Sequence, residues 1–189
     1  MRLDQHDNKA AAQPDQKKKR LFMCLLIVPL VLFDQLTKVW AVQALEGGKR
    51  IVLLPGILEL TYVQNCGAAF GILQNARIFF LLITVAALAV IGYCLVRIPD
   101  GKKYRPMRLC LYLIAAGAVG NLIDRLFLSY VRDFIYFSLI DFPVFNVADI
   151  FITCATFVLL LLSLFYYREE EDFTFLTGDK KKDRGDLHG

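Results

Sequence analysis

Four long apolar runs divide the chain, each bounded by basic or turn-forming residues. The first opens at Leu21, directly after Lys17-Lys18-Lys19-Arg20, breaks at the polar island Asp34-Gln35-Leu36-Thr37-Lys38 and resumes through Val39-Trp40-Ala41-Val42. The second, Ile78 to Ile98, carries no charged residue before Arg97. The third, Met107 to Leu128, and the fourth, Val144 to Tyr167, each hold one aspartate near an end, Asp124 and Asp149. A helix needs about twenty apolar residues to cross the hydrocarbon of a bilayer. The pattern therefore predicts four transmembrane helices over about 21–43, 78–98, 107–128 and 144–167. A cleavable signal peptide over the first run is disfavoured, because apolar character returns after the island and a Trp stands near its far end.

The connections carry their own signals. Gly47-Gly48-Lys49-Arg50 ends the first helix, and Ile51 to Val63 is rich in β-branched and aliphatic residues around Pro55-Gly56, which predicts a small hairpin in the loop 44–77. In the loop 129–143, Val131-Arg132-Asp133-Phe134-Ile135-Tyr136-Phe137 mixes charges with aromatics and suits an interfacial strand or lid. Residues 1–20 read as a disordered tail and 168–189 as a second charged tail, leaving one four-helix membrane domain over 21–167.

Composition agrees: 57% of the 189 residues are apolar, which describes an integral membrane protein. The net charge of +4 comes from Lys and Arg gathered at the ends and between runs, an orientation signal and no nucleic-acid patch. Sixteen of them fall on the N-terminal side of the membrane and five on the other, so both termini are expected in the cytoplasm. Both histidines, His6 and His188, lie in the tails, which removes Ser-His and Cys-His catalysis and most zinc chemistry. Of Cys24, Cys66, Cys94, Cys110 and Cys154, all but Cys66 sit in apolar runs as small core hydrophobes, and no disulfide framework is expected.

Two Asn-x-x-Asp units stand out, Asn121 to Asp124 and Asn146 to Asp149. At helical spacing Gly117, Asn121 and Asp124 share one face, and Asn146, Asp149 and Thr153 another. The third helix runs outward and the fourth inward, so both aspartates lie about 6–8 Å inside the outer end and can meet at one depth. Two carboxyls in such a site share a proton, giving an acid and a base that can activate water against a peptide carbonyl with no metal or cofactor. Asn121 and Asn146 orient the pair, hold substrate backbone or simply pack helices; Arg125 anchors a phosphate or a carboxylate. Asp34 and Lys38, spaced i and i+4, read as a structural ion pair, with substrate contact or catalysis as the alternative. A proton-coupled transporter is the rival reading of the paired aspartates, weakened by the uncharged second span. A Ser/Lys peptidase built from Ser129 or Ser138 with Lys38 is opposed by the depth of Lys38, and a noncatalytic scaffold leaves the two Asn-x-x-Asp units unexplained.

Several blocks, in order, resemble the lipoprotein signal peptidases (type II signal peptidases) of bacterial inner membranes: Asp34-Gln35-Leu36-Thr37-Lys38, Asn65-Cys66-Gly67-Ala68-Ala69-Phe70, Gly117 to Arg125, Val131-Arg132-Asp133-Phe134 and Phe145-Asn146-Val147-Ala148-Asp149. The resemblance implies an intramembrane aspartic endopeptidase with Asp124 and Asp149 as its dyad. Its substrates would be prolipoproteins, cut before a cysteine that carries a diacylglyceryl group. Asn65, Gly67, Asn121, Arg125, Asn146 and Ala148 would line the site beneath a small extracytoplasmic β-cradle. Such a chain is expected to work as a monomer among membrane lipids, with its active site near the outer face.

Overall fold

A computed structural model of the chain describes residues 25–67, 76–99, 101–168 and 173–177. Its elements run α1 (Ile27–Leu45), β1 (Arg50–Leu54), β2 (Leu58–Asn65), α2 (Arg77–Arg97), α3 (Arg105–Phe127), β3 (Val131–Phe137), α4 (Val147–Leu161) and a short α5 (Thr174–Thr177). Beyond Leu161, α4 continues through one wider turn, Leu162–Tyr166, closed by the Tyr167 N–H on the Leu162 carbonyl at 2.8 Å.

Among the described residues three helices are long and apolar enough to cross a membrane: α2, α3, and α4 with its extension to Tyr166. The first of the four expected spans is not among them, because the polar island dilutes the apolar content of α1, and residues 21–24 lie outside the described part. Burial shows why α1 keeps that island. Asp34, Lys38, Ala41 and Leu45, one stripe at helical spacing, are buried, while Leu32, Phe33, Leu36, Val39 and Trp40 are exposed. The helix is polar inward and apolar outward, the inverse of a helix on a soluble protein. Apolar residues cover α2 all round, with only Ile91 buried, as suits a helix that meets lipid on most of its surface.

The centre of the bundle is α3, which α1, α2 and α4 all pack against. Small residues make this possible. A Cβ at Gly117 would overlap the Ala148 carbonyl oxygen of α4, and one at Gly120 would overlap the Asp34 carboxylate of α1. Van der Waals packing of backbone on backbone, and not burial from water, holds helices together in lipid, so these contacts matter more than their size suggests. We expect Gly117→Ala to lower stability by about 1–3 kcal/mol, read as a drop in thermal unfolding temperature in detergent; an unchanged transition would show that α4 moves aside at no cost.

The predicted hairpin is present as antiparallel β1 and β2, with Gly56 at φ +70° in its turn. β3 from the loop 129–143 adds to β2, giving the order β1-β2-β3. Residues 143–146 then run beside β3 through the Ile135 to Phe145 pairing, before Asn146 caps α4. The end of β2, the middle of β3 and the start of α4 thus converge.

Within the charged tail, residues 173–177 pack back against the helices. Phe173 and Phe175 pack with Tyr104 and Tyr167, whose rings stack at 5.7 Å, and the Tyr93 hydroxyl reaches the Leu176 carbonyl at 3.2 Å. Aromatic residues between charges give this stretch something to bury.

Candidate active site

Among the described residues, the buried polar side chains other than Arg108 form one hydrogen-bonded network with two parts. In the first, Asp34 of α1 accepts the Ala148 backbone N–H at 3.0 Å and the Lys38 ammonium at 2.9 Å. Lys38 also donates to the Asn121 side-chain oxygen at 2.8 Å and lies 3.5 Å from Asp124. Asp124 is held further by Arg132 of β3, from its backbone N–H at 3.0 Å and from its guanidinium at 3.1 and 2.6 Å. Gln35 donates to Asp34, Asp124 and the Gly120 carbonyl and accepts from Arg132 at 2.8 Å. Asp124 is therefore fully buried and has a guanidinium, an amide and an ammonium on its two oxygens.

The second part contains Asp133 and Asp149. Asn146 and Asp149 form a capping box at the start of α4: the Asp149 N–H donates to Asn146 Oδ1 at 3.1 Å, and the Asn146 N–H donates to Asp149 Oδ2 at 3.1 Å. Asn146 Nδ2 is thereby turned the other way, toward Asp133 Oδ1 at 2.6 Å and Asn121 Oδ1 at 3.2 Å. Asn121 Nδ2 donates to Asp149 Oδ1 at 2.8 Å. Asn65, at the end of β2, takes the Gly67 N–H on its oxygen at 3.0 Å and donates to Asp133 Oδ2 at 2.8 Å. One asparagine, Asn146, thus touches both carboxyls.

Asp133 and Asp149 both line a cavity of about 460 Å³, together with Asn65, Gly67 and Arg125. Its other wall is apolar, from Phe142 to Phe145 and along α4 through Ile150 to Thr153 and Cys154. Asp124, Asn121, Asn146 and Ala148 are not in its lining; Asn146 and Ala148 are completely buried, and Ala148 packs against Gly117. Cys154, expected as a core hydrophobe, is exposed on the cavity wall. Lys38 and Arg132 offset Asp34 and Asp124, which leaves Arg125 facing Asp133 and Asp149 together. One proton held by that second pair makes the site neutral. Burial, and then the Asp149 carboxylate, push Asp133 up to about 7, against the pull of Asn65 and Asn146.

The expected residues are thus gathered in one place, but the carboxyl that lines the cavity with Asp149 is Asp133 of the loop 129–143. Strand alternation separates it from its neighbour without naming its partner: adjacent residues on a strand point to opposite faces, so Arg132 and Asp133 serve different partners.

The chain is similar to known proteins in both sequence and structure. A family model described as signal peptidase (SPase) II matches residues 26–165. The lipoprotein signal peptidase of Streptococcus pyogenes serotype M1 is 45% identical over 156 residues, covering 82% of this chain and 98% of that protein. Its counterpart from serotype M5 (strain Manfredo) is 44% identical over the same length. A bacterial membrane enzyme solved by the in meso method at 2.3 Å superposes with a TM-score of 0.67 and 31% identity, covering 81% of this chain and 93% of that one. A second such structure, at 1.9 Å, gives 0.65 and 31% over 79% of this chain and 94% of the other. Matched over most of its length by both the family model and its curated relatives, the chain belongs to the signal peptidase II family and is a protease.

Proposed function

We propose that the protein removes the signal peptide from diacylglyceryl-modified prolipoproteins, cutting before the lipidated cysteine, with Asp133 and Asp149 as its catalytic pair. One observation carries the assignment: these two carboxyls face the same cavity and share Asn146, whereas Asp124 is turned away and neutralised by Arg132 and Lys38. Asp149, ionised and half-buried, takes a proton from the attacking water. Asp133 holds the shared proton and donates a hydrogen bond to the scissile carbonyl oxygen, whose negative charge grows in the transition state. The proton then passes to the leaving amine. Arg125 and Asn65, which line the cavity with Gly67, supply donors for the substrate chain. Asn121, Asn146 and Ala148 act from behind, holding carboxyls and helices in place.

The same reading sets the chain in the bacterial inner membrane as a monomer with four spans and both termini cytoplasmic, on the strength of the Lys and Arg asymmetry. α1 counts as the first span because its polar stripe faces protein and its apolar face is outward. The sheet then lies at the outer side, and Asp149, the third residue of α4, sits about 5 Å inside the outer end of its helix.

The test is incubation of the purified protein with a lipid-modified precursor, the new termini being identified by mass spectrometry. A cut elsewhere than before the lipidated cysteine would overturn the substrate assignment. The proton inventory also predicts a pH dependence. Asp133 is raised, so its donor form persists up to about pH 7 and is lost above it. kcat/KM should therefore fall on the alkaline side, tenfold per pH unit once past that point. A flat profile up to about pH 9 would remove Asp133 from the role of proton holder.

A further inference from the structure

We propose that Lys38 is a positioning residue of the catalytic pair: its ammonium fixes which way the Asn121 amide points, and so holds an N–H donor against Asp149. The inference rests on the Asp133 and Asp149 reading and extends it to a buried charge that the chemistry itself does not use.

An asparagine amide is nearly the same shape in either orientation, so its neighbours decide where its donor end and its acceptor end lie. Lys38 has donors only. At 2.8 Å it forces Asn121 to present oxygen, which leaves Nδ2 to meet Asp149 Oδ1 at 2.8 Å. Asn146 Nδ2 adds a second donor to Asn121 Oδ1 at 3.2 Å, but it is also committed to Asp133 at 2.6 Å. Were Asn121 turned over, its oxygen would face the Asp149 carboxylate, and its Nδ2 would face that of Asn146. Lys38 itself has little freedom to turn. It is fully buried, bonded to Asn121 Oδ1 at 2.8 Å and ion-paired with Asp34 Oδ2 at 2.9 Å and Asp124 Oδ2 at 3.5 Å. A purely structural pair would need only the carboxylates. The bond to Asn121 is what links α1 to the catalytic pair. The charged groups around this link are Asp34 on α1, Asp124 and Arg125 on α3, Arg132 and Asp133 on β3, and Asp149 on α4.

The experiment compares Asp34→Asn with Asp34→Asn/Lys38→Met in the full-length protein. The single change keeps an acceptor for the Ala148 N–H and leaves Lys38 on Asn121. The double change removes both charges together, so no ammonium is stranded, and Asp124 keeps Arg132. The expected result is a further loss in kcat of at least about tenfold from single to double, with KM within about twofold. The alkaline limb should also move to higher pH, since Lys38 is one of the cations that pull Asp133 down. Asn121→Asp provides a second measurement in which Lys38 stays partnered: it puts an oxygen where the donor was and should cost kcat at least as much. Equal kcat for the single and double variants, a loss confined to KM, or near-normal turnover by Asn121→Asp overturns the proposal. Asp133→Asn in the same assay separates the two ideas: turnover there defeats the catalytic pair, while an inactive Asp133→Asn beside an undiminished double variant defeats only the role of Lys38.

Discussion

Asp133→Asn and Asp149→Asn should each lower turnover by about three to four orders of magnitude while leaving the protein folded, whereas Asp124→Asn should leave measurable turnover and lose stability instead. The reason is in the partners. Each of the first two carboxyls accepts from neutral N–H donors and faces the cavity, so an amide in its place keeps the shape and strands no buried charge, removing the proton transfer at the cost of one hydrogen bond. Asp124 faces Arg132 and Lys38, and an amide there leaves two buried cations with one carboxylate, Asp34, between them. Breaking a buried pair in this way costs about 3–5 kcal/mol. Because Asp124 also holds the Arg132 backbone N–H, next to Asp133, some loss of rate accompanies the loss of stability. Initial rates and thermal unfolding, measured on the same preparations, separate the cases. Full stability with no turnover in Asp124→Asn, or near-normal rates in Asp133→Asn, would return Asp124 to the pair. The double variant Asp133→Asn/Asp149→Asn should be little worse than either single change, since the two act as a unit.

What hid Asp133 in the sequence is that the two Asn-x-x-Asp units look alike in one dimension and differ in three. Asn146 and Asp149 stand at the first turn of α4, where four backbone N–H groups lack partners, and they bond to each other's backbone as a capping box. Asn121 and Asp124 stand near the end of α3, where N–H groups are already taken. Each reaches outward, Asn121 to Asp149 and Asp124 to Arg132. The fourth helix is expected from Val144 but starts at Val147, because Asn146 and Asp149 cap it there. The destination of a side chain in a strand was not legible, because it depends on which helix ends the sheet sits over. The hairpin at Pro55-Gly56 and the bounds of α2 could be read directly, being set by turn residues and by an uninterrupted apolar run. The island in α1 announced an ion pair but not its third partner, which α1 reaches only because Gly120 lets it come against α3.

The substrate should need its lipid, with a precursor whose cysteine is replaced by Ser, and so cannot carry the thioether, cut at least about a hundredfold more slowly. The cavity explains the demand. Its polar side, with Asp133, Asp149, Asn65 and Arg125, lies where the sheet meets the start of α4, and its apolar side continues along α4 to Thr153 and Cys154, one turn deeper. A signal peptide alone can slide along the membrane normal, because its apolar run tolerates several registers at little cost. A diacylglyceryl group removes that freedom: its glyceryl end stays at the headgroup level and its chains in hydrocarbon, each buried methylene contributing roughly 0.8 kcal/mol. The peptide bond before the cysteine is then held at the depth of the pair, which turns a search over registers into a single arrangement. Both precursors should be compared in one detergent and in one vesicle preparation, at equal concentration and with the same signal sequence. Comparable rates in both media would show that depth is set by the protein alone, through the apolar wall of α4, and would leave the catalytic pair untouched.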